Sequence, residues 1–378
     1  MPMPFSPGRW FGIVVKEFIQ LQRDRLTFGM IVGIPVLQLL LFGFAINSDP
    51  RQLPTAVLSM DHSPYSRSIV AALRNSGYFA ISATARSTRD VDELLAHGRV
   101  QFAITIPEDF SRRLVRNEQP VLLVEADATD PASTSNALAT LGTLVDAVVA
   151  RDAAGVLQPR PAAPPRVEVR VHRRYNPEGV TQYNIVPGLI GVILTMTMVL
   201  MTGLALTRER ERGTYENLLA TPALPIEVMT GKVVPYILIG LVQVSLVLAA
   251  ARYVFDVPFQ GSLALLYLVV LLFIAANLAL GITFSSLARN QLQSMQMTFF
   301  FFLPSILLSG FMFPFRGMPE WAQWIGNLLP LTHFLVLVRG ILLKGIGIGE
   351  LWPAVWPIVA FMVVVTGIGL AFYRRTLD

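Results

Sequence analysis

Cysteine is absent from the 378 residues, which excludes disulfides, thiol catalysis and thiolate metal sites. Histidine is scarce, and His62, His97, His172 and His333 stand far apart without metal-ligand spacing. Serine and threonine are frequent, yet none sits in a nucleophile elbow with a histidine nearby in sequence. No phosphate-binding Gly-x-x-x-x-Gly-Lys-Ser/Thr loop is present. The near miss at Gly231-Lys232 has Ile226 at the first glycine position and Val233 at the hydroxyl position. Charge is also thin, at 15% of residues against 53% hydrophobic, with a mean hydropathy of +0.55. That balance excludes an ordinary soluble enzyme.

What the chain has instead is long apolar runs. Residues 26–46 form 21 positions without a charge, roughly 31 Å as a helix and enough for a hydrocarbon core of about 30 Å. The run is too long for a signal-peptide core, and Asn47-Ser48-Asp49-Pro50 follows it rather than a small-residue cleavage site, so it is expected to stay as an anchor. Five further spans are expected at about 185–206, 233–251, 263–287, 295–313 and 351–373. No span holds an internal Asp, Glu, Lys or Arg, which argues against a proton- or sodium-coupled carrier. Before the first span, residues 1–25 carry Phe11, Val14, Phe18 and Leu21 on one side and Arg9, Lys16, Gln20 and Arg23 on another. This is an amphipathic helix suited to membrane lipid headgroups, or else a plain cytosolic cap.

Between the first two spans, residues 47–179 form a polar insert with 15 arginines and 15 acidic residues. The whole net charge of +5 therefore belongs to the membrane half, where it suits anionic headgroups rather than nucleic acid. β-Formers concentrate at 55–60, 79–85, 102–106, 121–126 and 166–174. Helical spacing appears at 66–75, 88–98, 107–117 and 132–154, with Ser87-Thr88 as an N-cap and Pro107 in a first turn. A proline cluster over 155–165 reads as a loop or stiff linker. The insert is a compact α/β domain with its own core. The acidic pairs Asp92-Glu93 and Glu108-Asp109 read as solvated surface. The expected fold is an α-helical membrane protein with six transmembrane helices and an inserted extracytoplasmic α/β domain.

Residues 328–338 are apolar but too short to cross and are broken by Pro330 and His333. Residues 318–344 are read as re-entrant helices on one membrane face. Orientation follows the cations of the short segments. With the N-terminus inside, the inner side receives Arg9, Lys16, Arg23, Arg25, Arg208, Arg210, Arg212, Lys232, Arg289, Arg374 and Arg375, whereas the outer loops receive Arg252, Arg316, Arg339 and Lys344. Both termini are then cytoplasmic, and 47–179 lies outside. Pro35, Pro187, Pro235 and Pro304 are candidates for kinks, with Pro187 in a first turn.

The densest polar segment of the membrane half is the 208–222 loop. It opens on Arg208-Glu209-Arg210-Glu211-Arg212, breaks at Gly213-Thr214, and runs through Tyr215-Glu216-Asn217-Leu218-Leu219 to a stop at Thr221-Pro222. Thr214 can cap the short turn, with Glu216 favourable in its first turn. Solvation of the membrane edge and positive-inside anchoring would explain the cations alone. This run, followed by Gly231-Lys232 at the next span, resembles type-2 ABC transporter permeases. The likeness continues through Tyr175-Asn176-Pro177, Pro258-Phe259-Gln260-Gly261-Ser262, Leu307-Leu308-Ser309-Gly310, Met318-Pro319-Glu320-Trp321 and Pro330-Leu331-Thr332-His333-Phe334. It is similar to the multidrug-exporter subgroup with a large extracytoplasmic domain.

The resemblance implies a bacterial inner-membrane permease, without catalysis or cofactor of its own, serving a separate cytoplasmic ABC ATPase that binds ATP and magnesium. It implies a coupling helix at 208–222, with Arg208, Glu209, Arg210, Gly213, Thr214, Glu216, Leu218 and Pro222 as contact positions. It also implies a dimer with a second copy or a close relative. A periplasmic adaptor and outer-membrane channel are further candidate partners. Uncharged polar and aromatic groups in the spans, namely Gln243, Asn277, Gln293, Phe299, Phe302 and Ser309, are candidates to line a pathway for amphiphilic or hydrophobic cargo. The plainer reading is helix packing through amide bonds. Two rival functions stay open: a membrane-anchored receptor or scaffold with a ligand-binding outer domain, and a polysaccharide- or lipid-exporting permease of the same type.

Overall fold

A computed structural model describes residues 50–152, 167–211 and 225–374. The expected amphipathic helix and first span, the 155–165 linker and most of the 208–222 loop lie outside these residues. The five strands of the insert form where β-formers were dense: β1 (Leu53–Ser59), β2 (Phe79–Thr84), β3 (Phe102–Ile106), β4 (Val121–Asp127) and β5 (Glu168–Arg174). They make one sheet in the order β2-β1-β3-β4-β5. Neighbours run parallel except β3 and β4, which pair antiparallel with Phe102 opposite Ala126.

Helices α1 (Pro64–Asn75), α2 (Thr88–Ala96), α3 (Phe110–Val115) and α4 (Pro131–Asp152) connect the strands in turn. Ser87 caps α2 by accepting from the Asp90 amide at 3.2 Å. Pro107, expected inside the next helix, lies before it, because α3 begins at Phe110. Ile69, Leu73, Leu141 and Val145 of α1 and α4 bury one face of the sheet against Phe102, Ile104 and Val124. Val91 and Leu95 of α2 cover Ala56, Leu58 and Ala103 on the other face. The layers are helix, sheet, helix, which is why the central strand β3 is buried along its whole length.

A tight junction leads into the membrane half. Tyr175 and Gly179 both take left-handed backbone angles, and the Asn176 side chain closes the turn. Its Oδ1 accepts from Val180 N and its Nδ2 donates to Val180 O, both at 2.9 Å. Then come α5 (Thr181–Glu211), α6 (Pro225–Tyr253), α7 (Leu263–Leu287), α8 (Gln291–Leu308), α9 (Glu320–Leu328), α10 (Pro330–Arg339), a π-helical turn (Gly340–Lys344) and α11 (Ile348–Arg374). Because α5 starts at Thr181, Pro187 sits in the second turn rather than the first, and its missing N–H comes out of the ladder.

Among the described residues, four stretches are long and apolar enough to cross a membrane: Thr181–Leu204, Pro235–Tyr253, Leu263–Leu287 and Ile348–Phe372. Six were expected in all. The first falls outside the described residues. The span expected at 295–313 is corrected: α8 begins earlier, with polar Gln291, Gln293 and Gln296, and ends at Leu308. Gly310 explains the stop, since its φ of +84° turns the chain back through a conformation that side chains with a Cβ resist. α9 and α10 with the π-helical turn meet at 84° and count as a fifth span only if the bent pair is one. Pro330 at the start of α10 fixes this bend.

α5 packs against α6, α7, α8 and α10, and α7 also packs against α11. Phe273 of α7 stacks on Phe334 of α10 with centroids 4.1 Å apart. One close helix approach is at Gly281, where a Cβ would overlap Thr202 Oγ1 and stand 2.8 Å from the Val199 carbonyl. Small residues let backbones meet where lipid offers no hydrophobic drive.

Candidate functional site

The polar chemistry divides between the two ends of the bundle. At one end the α/β domain rests on the loops and on the bent α9–α10 pair. Lys344 Nζ pairs with Asp127 Oδ2 at 2.5 Å, with both side chains about nine-tenths buried. The same ammonium donates to Leu95 O at 3.3 Å and lies 5.1 Å from the Tyr175 ring centroid. Arg316 donates to Gly98 O at 3.2 Å, and Asn184 at the start of α5 donates to Asp130 Oδ1 at 2.9 Å. His97 stands 3.8 Å from Glu350. Arg339 donates to Gly310 O at 3.3 Å, while its Nε and one Nη are buried without a hydrogen-bond partner among the described residues.

Burial pushes the Asp130 carboxyl above the usual range, although the Arg339 charge and two backbone amides pull it down. Burial and then the Asp127 charge push the Tyr175 phenol up to about 12. Arg174 stays firmly charged, because Glu125 and Asp92 outweigh its partial burial. Asp92, read from sequence as plain surface, therefore has a structural partner. Asp109 likewise pairs at 2.5 Å with Arg113 of the helix it precedes. The ion pairs of the interface join positions more than 200 residues apart, and sequence reading missed them. Their one local signal was the acidic Asp127-x-x-Asp130 after a strand, set against cations flanking an apolar run.

The other end carries the charged run. Arg208 is exposed in the last turn of α5. Glu209 and Arg210 lie in the same helix. Gly213, Thr214, Glu216, Leu218 and Pro222 fall outside the described residues. Glu211, which sequence reading included in the run but did not single out, makes the defining contact. Its carboxylate accepts from the Gln291 backbone N at 2.7 Å and from the Gln291 side-chain amide. These bonds hold its pKa below that of an ordinary glutamate.

The six candidate pathway residues sit on three helices. Gln243 of α6 accepts from Thr197 Oγ1 of α5 at 3.0 Å. Asn277 of α7 is fully buried and donates to Phe273 O at 2.8 Å, leaving its Oδ1 without a partner among the described residues. The other four share α8 and its end. Gln293 is buried and accepts from Arg289 N at 2.8 Å, as part of the helix cap. Phe299 is exposed, Phe302 packs against the bundle core, and Ser309 is buried, its hydroxyl unpartnered among the described residues. In the α/β domain, an open groove of about 620 Å³ runs between α1 and α4, lined by Ser68, Ala72, Tyr78, Thr140, Leu144 and Arg151.

The family described as ABC-2 family transporter protein matches residues 25–371. The Escherichia coli probable multidrug ABC transporter permease YbhR is 27% identical, over 97% of this chain and 98% of its own. YbhS, of the same description and organism, is 30% identical over 88% of each chain. The Escherichia coli inner membrane transport permease YhhJ is 31% identical over 97% of each. A match across nearly the whole length carries the assignment beyond any single motif: the chain belongs to the ABC-2 family of transporter membrane proteins.

Proposed function

We propose that this ABC-2 permease is the membrane subunit of an ATP-driven exporter, that it moves amphiphilic or hydrophobic compounds outward, and that it is coupled to a separate ATPase through residues 208–222. The observation that carries the reading is α5. Its 31 residues extend roughly 46 Å, against a hydrocarbon core of about 30 Å. The helix thus runs past the apolar stretch and ends in the charged run, where a cytoplasmic partner can push on it. The sequence has no phosphate-binding loop, which supports a separate chain for ATP hydrolysis. The names of the Escherichia coli relatives support permease work and, for two of them, multidrug compounds. A second copy or a close relative would complete the pathway beside α8, whose Phe299 and Phe300 are exposed.

Under this reading the α/β domain faces outward, where it is placed to meet an adaptor. Glu209→Lys and Gly213→Pro test the coupling. Both variants insert and assemble, yet lose stimulated ATP hydrolysis and export when measured with the ATPase in proteoliposomes. Export at the parental rate by both would remove the assignment. The groove between α1 and α4 is the observation on the side of a ligand-binding receptor; that reading predicts no ATPase co-purifying with the chain.

A further inference from the structure

We infer that Glu211 is a positioning residue that transmits displacement of the 212–224 segment to α8. The inference rests on the coupling role proposed for 208–222 and adds the route the motion takes next. The first amides of a helix need acceptors. In α8 the Gln293 amide is met by Asn290 Oδ1 at 2.8 Å, a cap from its own chain neighbourhood. The Gln291 amide is met by Glu211, which belongs to another helix. One carboxylate oxygen takes the backbone N–H and the other takes the Gln291 side-chain amide.

Two bonds from one rigid group fix both the height and the rotation of α8 relative to the end of α5. A carboxylate at a helix N-terminus is also favoured by the helix dipole. One or two turns nearer the domain the same helices touch again. A Cβ on Gly203 of α5 would stand 2.7 Å from Ser294 Oγ and 3.8 Å from Thr298 Oγ1 of α8. The end of α5 cannot shift without carrying α8 or breaking both contacts. Gly213 lies two residues beyond Glu211, so a push on the loop reaches this clamp almost at once. The helix it moves bears Gln293, Phe299 and Phe302 and leads into Ser309.

A static cap would occupy the same position, so the test must read motion rather than stability. Because the chain has no cysteine, Phe300→Cys on the exposed side of α8 gives its single thiol. Its labelling rate by a maleimide is measured on the assembled transporter with its ATPase in lipid nanodiscs, with and without ATP and vanadate. The parent changes its rate on nucleotide trapping. Glu211→Ala and Glu211→Lys reduce that change about tenfold while ATP hydrolysis continues, and Glu211→Gln and Gln291→Ala, each keeping one arm of the clamp, fall between. A parental response in Glu211→Ala and Glu211→Lys overturns the assignment. Should those two fail to accumulate, an undiminished response in both Glu211→Gln and Gln291→Ala overturns it equally. A parent that binds its ATPase but never responds to nucleotide removes the coupling reading of 208–222, and the route with it.

Discussion

Removing the charge at Asp127 tests how firmly the α/β domain is held on the membrane bundle. Asp127 and Lys344 are 11% and 10% exposed, so neither can fall back on water when its partner is deleted. Breaking a buried pair from one side costs about 3–5 kcal/mol, whereas replacing both partners by apolar groups of similar size is often neutral or stabilising. The two single variants should also differ. In Asp127→Leu the ammonium keeps only the Leu95 carbonyl at 3.3 Å and the Tyr175 ring at 5.1 Å, and the cost should reach the upper part of that range. In Lys344→Met the carboxylate keeps both Thr129 donors, the amide at 3.2 Å and the hydroxyl at 2.8 Å, so the cost should fall at the lower end, about 3 kcal/mol. The double variant should return to within about 1 kcal/mol of the parent, giving a coupling energy of about 7 kcal/mol. Equilibrium unfolding of the whole chain in mixed micelles, followed by tryptophan fluorescence, measures all four corners of the cycle. If the double variant loses the sum of the single losses, the pair is not formed and the docking of the domain has been misread.

Three further outcomes follow from single contacts. Gly281→Ala places a methyl in overlap with Thr202 Oγ1 and 2.8 Å from a backbone carbonyl; overpacking of this kind costs about 1–3 kcal/mol or more, and adding Thr202→Ala should recover only part of the lost thermal stability, since the carbonyl remains. Ser87→Ala removes the α2 cap, worth about 1 kcal/mol; hydrogen exchange should quicken in the first turn of α2 and stay unchanged in α4. Asp130 has a folded pKa raised above its unfolded value, so the folded state takes up its proton first as pH falls. The penalty of burying its carboxylate is therefore full above the folded pKa, shrinks as pH falls through it, and is gone below about 4, the unfolded value. Asp130→Asn keeps the Oδ1 acceptor that Asn184 uses, and its stability relative to the parent should be greatest above the folded pKa and shrink on acidification below it. A difference that does not change with pH would refute the linkage.

Where the governing forces are local, the sequence was readable. Alternating β-formers and turn residues placed all five strands of the insert within a few residues, and Ser87 announced its own helix. Apolar runs marked α5, α6, α7 and α11, because a membrane span is a matter of length and transfer energy. Strand order was not readable. Nothing in Phe102–Ile106 says that it pairs parallel with β1 on one edge and antiparallel with β4 on the other, since that choice depends on the packing of α1, α3 and α4 on one face. The end of α8 was misplaced because hydropathy continues through Phe311 and Phe313, whereas the helix is stopped by the backbone of Gly310.

The cations on the domain side bear on orientation as well as on docking. Counted as loop charges, Arg316, Arg339 and Lys344 weigh against an arrangement in which positive residues gather on the opposite face. That count assumes each cation is solvated in a short loop and free to interact with the membrane potential and headgroups. Here Arg316 donates to Gly98 O, Lys344 pairs with Asp127, and Arg339 donates to Gly310 O. All three are held by protein acceptors, two of them in the α/β domain, and two acidic residues of that domain, Asp127 and Asp130, lie at the same junction. Their positions are set by docking rather than by insertion. Of the four cations expected on that side, Arg252, exposed at the end of α6, is then the one that a count of solvated loop charges would keep.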